Sequence, residues 1–329
     1  MIYSNFGNSE EKLSKMGLGC FSMSGAYGRG SDEESLATIQ LALDLGVTLL
    51  DTSASYGQGH NHRLIGQALK NGRREKVFIH SKSGTIKTDQ GSKAEGSGTP
   101  ARLREICEKS LKNIGTDYLD VFCMSRIDPS VPVEESVGGM GRLVEEGKTR
   151  FIGLSEASPE SLKRGFNEHA LVSLQYEYSL WTRDVENGHL AACEDLGMAM
   201  MAYAPLGYGF LTGTITDENA LEREDTRRKF PRFEAENMKK NLEKVAVIKA
   251  VADTYDATPA QIAIAWTLLG GEHVFPIPGC KTRHHLEENV AAIDIVLDKK
   301  DIDKLNEVFA PGSVSGDRYP PDGMARVNL

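Results

Sequence analysis

The feature that most constrains this chain is an alternation: a short apolar run follows an amphipathic stretch that closes near a glycine, and the unit recurs along the sequence. "EESLATIQLALDLG" leads into "GVTLLD" (46–51), "HNHRLIGQALKNG" into "KVFIHSK" (76–82), and "RLREICEKSLKNIG" (102–115) into "YLDVFCM" (118–124). "VEESVGGMGRLVEEGK" precedes "TRFIGLS" (149–155), "SPESLKRGFNEHA" precedes "LVSLQYE" (171–177), and "GHLAACEDLG" precedes "MAMMAYAPL" (198–206). Two further helical stretches lead to "VFPIP" (274–278), and "RHHLEENVAAID" supplies the last barrel helix. Helix–Gly–strand order of this kind predicts parallel strands joined by helices. With "MGLGCF" as the first strand, the count of eight predicts a closed (β/α)8 barrel, an α/β TIM barrel. A doubly wound sheet would want a glycine-rich phosphate loop directly after its first strand; "GYGFLTG" (207–213) follows a late strand and lacks that spacing.

A length of 329 residues suits one such barrel with additions, so residues 1–329 are read as a single domain. The additions are a charged segment at about 214–237 after the seventh strand, either a cover or a solvated excursion, and a Pro/Gly-rich irregular arm from about 311. The net charge of −9, with no basic block, argues against nucleic acid and against a membrane surface. No apolar run reaches the ~20 residues of a membrane span, and the N-terminus has no apolar core of signal-peptide length. Five scattered cysteines without a CxxC pair fit reduced thiols in a cytoplasmic protein. The expected partner is a small molecule; monomer and homo-oligomer are both open.

In such a barrel the active site lies where the strands end. The second strand delivers Asp51 and then Tyr56, the third Lys82, the fourth Ser125, the fifth Ser155 and Glu156, the sixth Gln175 and the seventh Tyr203; the eighth leads into "IPGCKTRHHLEEN". A free tyrosine titrates near ~10, too high for ready proton exchange at neutrality. A nearby ammonium would lower that value, and a carboxylate would hold the ammonium in place. Tyr56 with Lys82 and Asp51 is therefore a candidate acid for carbonyl reduction by hydride, with Ser125 beside it. Taken singly, Asp51 could be a helix cap, Tyr56 a loop anchor and Lys82 a surface charge. The "HNH" at His60 and His62 resembles a metal pair, but it opens a helix and strands five to eight end without histidine; no metal is expected, and both rings are read as solvated or His60 as lining the rim. A Schiff-base role for Lys82 is disfavoured by Asp51. Tyr27 is read as a pocket wall, Trp181 as core or wall, and Arg318 and Tyr319 as able to fold over the opening.

"LDTSASYGQG", "IHSKSG", "IGLSEAS", "YEYSLWTRD", "AYAPLGYGFLTG", "PRFEAEN" and "IPGCKTRHHLEENV" follow, in order and spacing, the motifs of the aldo-keto reductases. The chain resembles that family over essentially its whole length, most closely the microbial, plant and fungal branch with an "RYP" tail, here Arg318-Tyr319-Pro320. The resemblance implies NADP(H) bound in an extended pose without a Rossmann domain. It implies Tyr56 as proton donor with Lys82 and Asp51 tuning it, Ser155 and Gln175 holding the carboxamide, and Tyr203 stacked on the nicotinamide. Backbone around Leu206, Gly207 and Gly209 would approach the pyrophosphate. Lys281, Thr282, His285, Glu288 and Asn289 would hold the 2′-phosphate and adenine at a helix N-terminus, where phosphate binds well; position 282 is commonly basic in the family. The family usually has histidine where this chain has Ser125. A roomier pocket, a substitute group such as His60 or His62, or a weakly catalytic NADP(H)-binding sensor are the three readings of that exchange.

Overall fold

The computed structural model describes residues 1–88 and 91–329. A hairpin of β1 (Tyr3–Asn5) and β2 (Lys12–Ser14) comes first. The barrel strands are β3 (Leu18–Gly19), β4 (Leu49–Ser53), β5 (Phe78–Lys82), β8 (Leu119–Met124), β9 (Thr149–Ser155), β10 (Ser173–Glu177), β11 (Ala199–Tyr203) and β12 (Val274–Ile277). A second hairpin, β6 (Ile86–Thr88) with β7 (Gly91–Lys93), rises beyond β5. The eight barrel strands pair in parallel in the order β3-β4-β5-β8-β9-β10-β11-β12. Gly19 pairs with Gly279 to close the ring, and the Gly17 and Gly19 amides donate to the Pro276 and Pro278 carbonyls at 2.9 and 3.1 Å. A side chain at Gly19 would come within 2.7 Å of the Ile277 carbonyl, so the closure needs a residue without one.

The helices are α1 (Asp32–Asp44), α2 (His60–Ala68), α3 (Pro100–Ile114), α4 (Val133–Glu145), α5 (Pro159–Glu168), α6 (His189–Asp195), α7 (Ala235–Thr254), α8 (Pro259–Leu268), α9 (Arg283–Ala291), α10 (Lys299–Val308) and α11 (Pro321–Met324). Their starts are set locally. Ser31, Thr99, Ser158 and Thr258 each accept a backbone N–H at the first turn, and Thr258 with Gln261 forms a reciprocal capping box. Alternate strand residues point inward. At the lower end of the barrel they form an apolar plug of Leu49, Phe78, Val121, Val172, Met201 and Phe275, sealed from below by Phe6 of the first hairpin loop. At the upper end the inward residues turn polar. Among the described residues, no helix is long and apolar enough to cross a membrane.

The expected segment at 214–237 is shorter in fact. α7 begins at Ala235, and three short 3-10 turns occupy 218–233. The segment is a cover rather than an excursion: Thr226 bonds the Ala26 carbonyl through both its amide and its hydroxyl, and the Arg29 amide donates to Glu222. It thereby bridges to the loop after β3. α10 lies beyond the helix expected to be last, and the arm from 311 carries α11.

Candidate active site

A cavity of about 860 Å³ opens at the C-terminal ends of the strands, roofed by the 214–234 segment and the C-terminal arm. Its floor is a buried polar group. Asp51, on β4, receives the Lys82 ammonium of the adjacent β5 at 2.6 and 2.7 Å through its two oxygens. The Gln175 amide donates to Asp51 Oδ1 at 2.6 Å, and His80 Nδ1 stands 3.3 Å from that oxygen. Burial opposes the Asp51 charge, but Lys82 and then His80 outweigh it and hold the carboxyl below its usual range. Burial pulls the His80 pKa down, and its Nε2 stands 3.2 Å from the Ser173 hydroxyl.

Tyr56 reaches the same cavity from the loop after β4. That loop turns through left-handed residues, among them the non-glycine Gln58 at φ 53°. Asn61 braces it from below: its amide donates to the Cys20 carbonyl and the Ser24 hydroxyl (2.8 and 2.9 Å), and its carbonyl accepts from Thr52 Oγ1 at 2.6 Å. The Tyr56 ring packs on Phe21, with 4.7 Å between centroids, and the Lys82 ammonium lies 5.1 Å from the ring centre. The expected lowering of the phenol is reversed. Burial and then the Asp51 carboxylate push Tyr56 well above 10. Ser125 directly follows β8; its Oγ accepts from the Gly84 amide at 2.6 Å, and its own amide donates to Ser83 Oγ at 3.1 Å. The hydroxyl is thus tied to the loop after β5, with its proton left to give.

The remaining expected residues separate into those that line the cavity and those that do not. Ser155, Gln175, Tyr203, Leu206, Gly209, Lys281, His285, Glu288, Asn289 and Tyr27 line it. Lys281 bonds the carbonyls of Tyr27 and Arg29, at 2.8 and 3.3 Å, joining the last strand's loop to the first's. Thr282 stands off the cavity and caps α9, its hydroxyl accepting from the His285 amide. Gly207 lies just below the surface of the cavity, where an added Cβ would meet Trp181 at 2.7 Å. Trp181 is not a pocket wall: it is 3% exposed and stacks on Phe210, 4.8 Å away, because the 207–211 turn covers it. Nor are both histidines solvated. His62 is fully buried against Ser81, with burial pulling it down to about 4, whereas His60 faces Ser24 and Asp32.

The tail does more than fold over the opening. Arg318, 3% exposed, bonds Glu156 at 2.7 Å, Glu177 at 3.2 Å and the Tyr203 hydroxyl at 3.0 Å. Tyr319 places its hydroxyl 2.9 Å from that of Tyr203 and 3.0 Å from that of Tyr208. Glu156, fully buried at φ 57°, also accepts from Tyr203 at 2.7 Å. This network fixes the Tyr203 ring. Sequence reasoning placed Glu156 at a strand end but gave it no role, and it gave none to Glu177, His80, Asn61 or Arg126.

Residues 15–310 match the Aldo/keto reductase family. The chain is 40% identical over 310 residues, 94% of this chain and 89% of the other, to a probable aldo-keto reductase 1 of Glycine max. It is 35% identical to an NADP(+) aldo-keto reductase of Schizosaccharomyces pombe, over 95% of this chain and 93% of that one. Among solved structures, an aldo/keto reductase from Klebsiella pneumoniae in complex with NADP and acetate superposes with a TM-score of 0.74 at 25% identity, covering 96% of this chain and 98% of its own. A glycerol dehydrogenase from Gluconobacter oxydans shares the fold, with a TM-score of 0.82 at 24% identity over 97% and 99%. A buried lysine–aspartate pair beside a tyrosine and a match along most of the chain lead to the same place: this protein belongs to the aldo/keto reductase family.

Proposed function

We propose that the chain reduces an aldehyde or ketone to an alcohol with NADPH, reversibly, with Tyr56 as the proton donor. The observation that carries this reading is the Lys82–Asp51 pair set beneath Tyr56 in one cavity. The cavity's chemistry fits the cofactor. Ser155 and Gln175 offer a hydroxyl and an amide to a carboxamide, Tyr203 a ring face, and Lys281, His285 and Asn289 a cation and polar groups at the opposite rim. The relatives named for NADP(+), or solved with NADP, support the same choice. NADPH, when bound there, supplies the hydride.

The chain's own residues manage the proton. Tyr56 keeps its proton at neutral pH because burial and Asp51 disfavour the phenolate. It is therefore charged with the proton that a developing alkoxide needs, and Lys82, held by Asp51, is the cation placed to balance the phenolate left behind. Ser125, bound by Gly84 on its acceptor side, has a hydroxyl proton to aim at the carbonyl oxygen. The 214–234 cover and the arm exclude water from this step.

Tyr56→Phe is expected to lower NADPH-dependent carbonyl reduction by roughly 10²- to 10⁴-fold. NADPH binding, read by fluorescence, should persist; turnover kept in the variant means the proton comes from another group. A weakly catalytic NADP(H)-binding role is favoured by one observation, the Lys82 ammonium over the Tyr56 ring rather than at its hydroxyl. Slow NADPH oxidation by the wild type across aromatic aldehydes, ketones and keto-sugars would select that role.

A further inference from the structure

The arginines around this rim are held by carboxylates. Arg227 grips Asp225 at 2.6 Å, Arg232 faces Glu177 at 3.7 Å, and Arg318 spans Glu156, Glu177 and Asp184. Arg126 differs. It lines the cavity directly after Ser125, and its Nη1 donates to the Ser125 carbonyl at 2.6 Å. Among the described residues, no carboxylate oxygen lies within 4.0 Å of its guanidinium. Burial works against its charge; Tyr203, Glu156 and Tyr319 favour it, and the one carboxylate among them, Glu156, is already bonded by Arg318 and Tyr203. A guanidinium drawn out of bulk water without a counter-ion costs free energy, and that cost is offset when a ligand brings the charge.

The topology says which ligand. Arg126 follows the fourth barrel strand and Lys281 the eighth, on opposite sides of the closed ring. Tyr56, Lys82 and Asp51 come from the second and third strands, beside Arg126. If the phosphates of a dinucleotide lie toward Lys281, the reacting carbonyl and whatever is attached to it lie toward Arg126. The short side chain of Ser125 leaves room there, and the planar fork of a guanidinium matches a carboxylate through two parallel hydrogen bonds.

We propose that Arg126 selects the substrate, and that the carbonyl compounds taken by this site carry a carboxylate. The proposal rests on the reductase reading above, and the test separates the two. Reduction of 4-formylbenzoate and of 4-methylbenzaldehyde, similar in shape and unlike in charge, is measured at pH 7 with wild type, Arg126→Met and Arg126→Lys. The wild type should favour the acid in kcat/KM. Arg126→Met should cut that preference about 10- to 100-fold, chiefly through KM, and Arg126→Lys should restore part of it. Equal losses on both aldehydes, or no preference in the wild type, would overturn the proposal. Binding is read apart from turnover, by titrating benzoate and, as the neutral control, benzamide into the NADP⁺-loaded protein and following thermal unfolding. Stabilisation by benzoate alone, lost in Arg126→Met, supports the anchor even where neither aldehyde is reduced, and then only the reductase reading fails. Benzoate that leaves the wild type unaffected, or that still stabilises Arg126→Met, sinks the anchor.

Discussion

His62 is packed out of reach of water with its Nε2 2.9 Å from the Ser81 hydroxyl, and burial pulls its pKa down to about 4. An unfolded histidine titrates near ~6.5. Between those values the unfolded chain binds a proton that the folded one refuses, so stability rises with pH across the window. The contribution is complete above about 6.5, falls as the pH drops, and levels off below about 4. At pH 5 the loss is about 2 kcal/mol. His62→Gln should therefore lose less stability than the wild type between pH 7 and pH 5 by about that amount, measured by urea unfolding at each pH. The same physics explains which parts of the site could be read beforehand. Asp51 and Lys82 stand at the ends of neighbouring strands, and strand order is written in the sequence. The direction of the Tyr56 shift was not readable, because it depends first on how deeply the ring is buried. Arg126 and His80 gave no signal either: one cation after a strand and one histidine within a strand look the same whether buried or wet.

The cover at 214–234 is held by an apolar face, with Ile215, Leu221 and Phe233 buried in the core, and by a few specific bonds. Asp225 accepts the Arg227 amide and receives its guanidinium, and Arg227 Nη1 in turn donates to the Tyr208 carbonyl at 2.9 Å. Ile215, Ala220, Arg227 and Phe230 are the faces it shows the cavity. Asp225→Ala should loosen this clamp and speed NADPH release several-fold, read by stopped-flow fluorescence, and should lower stability by about 1–3 kcal/mol because Arg227 loses its carboxylate. A run as charged as "DENALEREDTRRK" left cover and solvated excursion both open; its docking rests on Thr226 and Glu222 meeting a loop nearly 200 positions away. Trp181 failed in the opposite sense, since an aromatic after a strand end suits a wall as well as a core until the turn at Gly207 is seen to cover it. The helices fared better: Ser158 stands before Pro159, and its hydroxyl caps α5.

The C-terminal arm ties the upper barrel together. Arg318 joins Glu156 after β9, Glu177 on β10 and Tyr203 on β11, so one side chain spans three neighbouring strand ends. Removing it leaves Glu156 buried without its cation and Glu177 with Arg232, 3.7 Å away. Arg318→Met should cost about 3–5 kcal/mol, visible as a lower denaturation midpoint, and should disturb Tyr203. The eightfold alternation made the barrel plain in the sequence; the pairing of tail to strand ends could not be, because it joins residues more than a hundred positions apart through a network no local pattern encodes.

The ring closure has a consequence of its own. Pro276 and Pro278 have no N–H to give, and β3 is only two residues long, so the bonds at those two positions run one way, from Gly17 and Gly19. Every other joint of the ring has a fuller ladder. The molecule is thus a curled strip with one weak edge-to-edge fastening, and that fastening lies directly beneath the Lys281 bridge to Tyr27 and Arg29. A molecule seated in the cavity at that end would span the fastening and add to it.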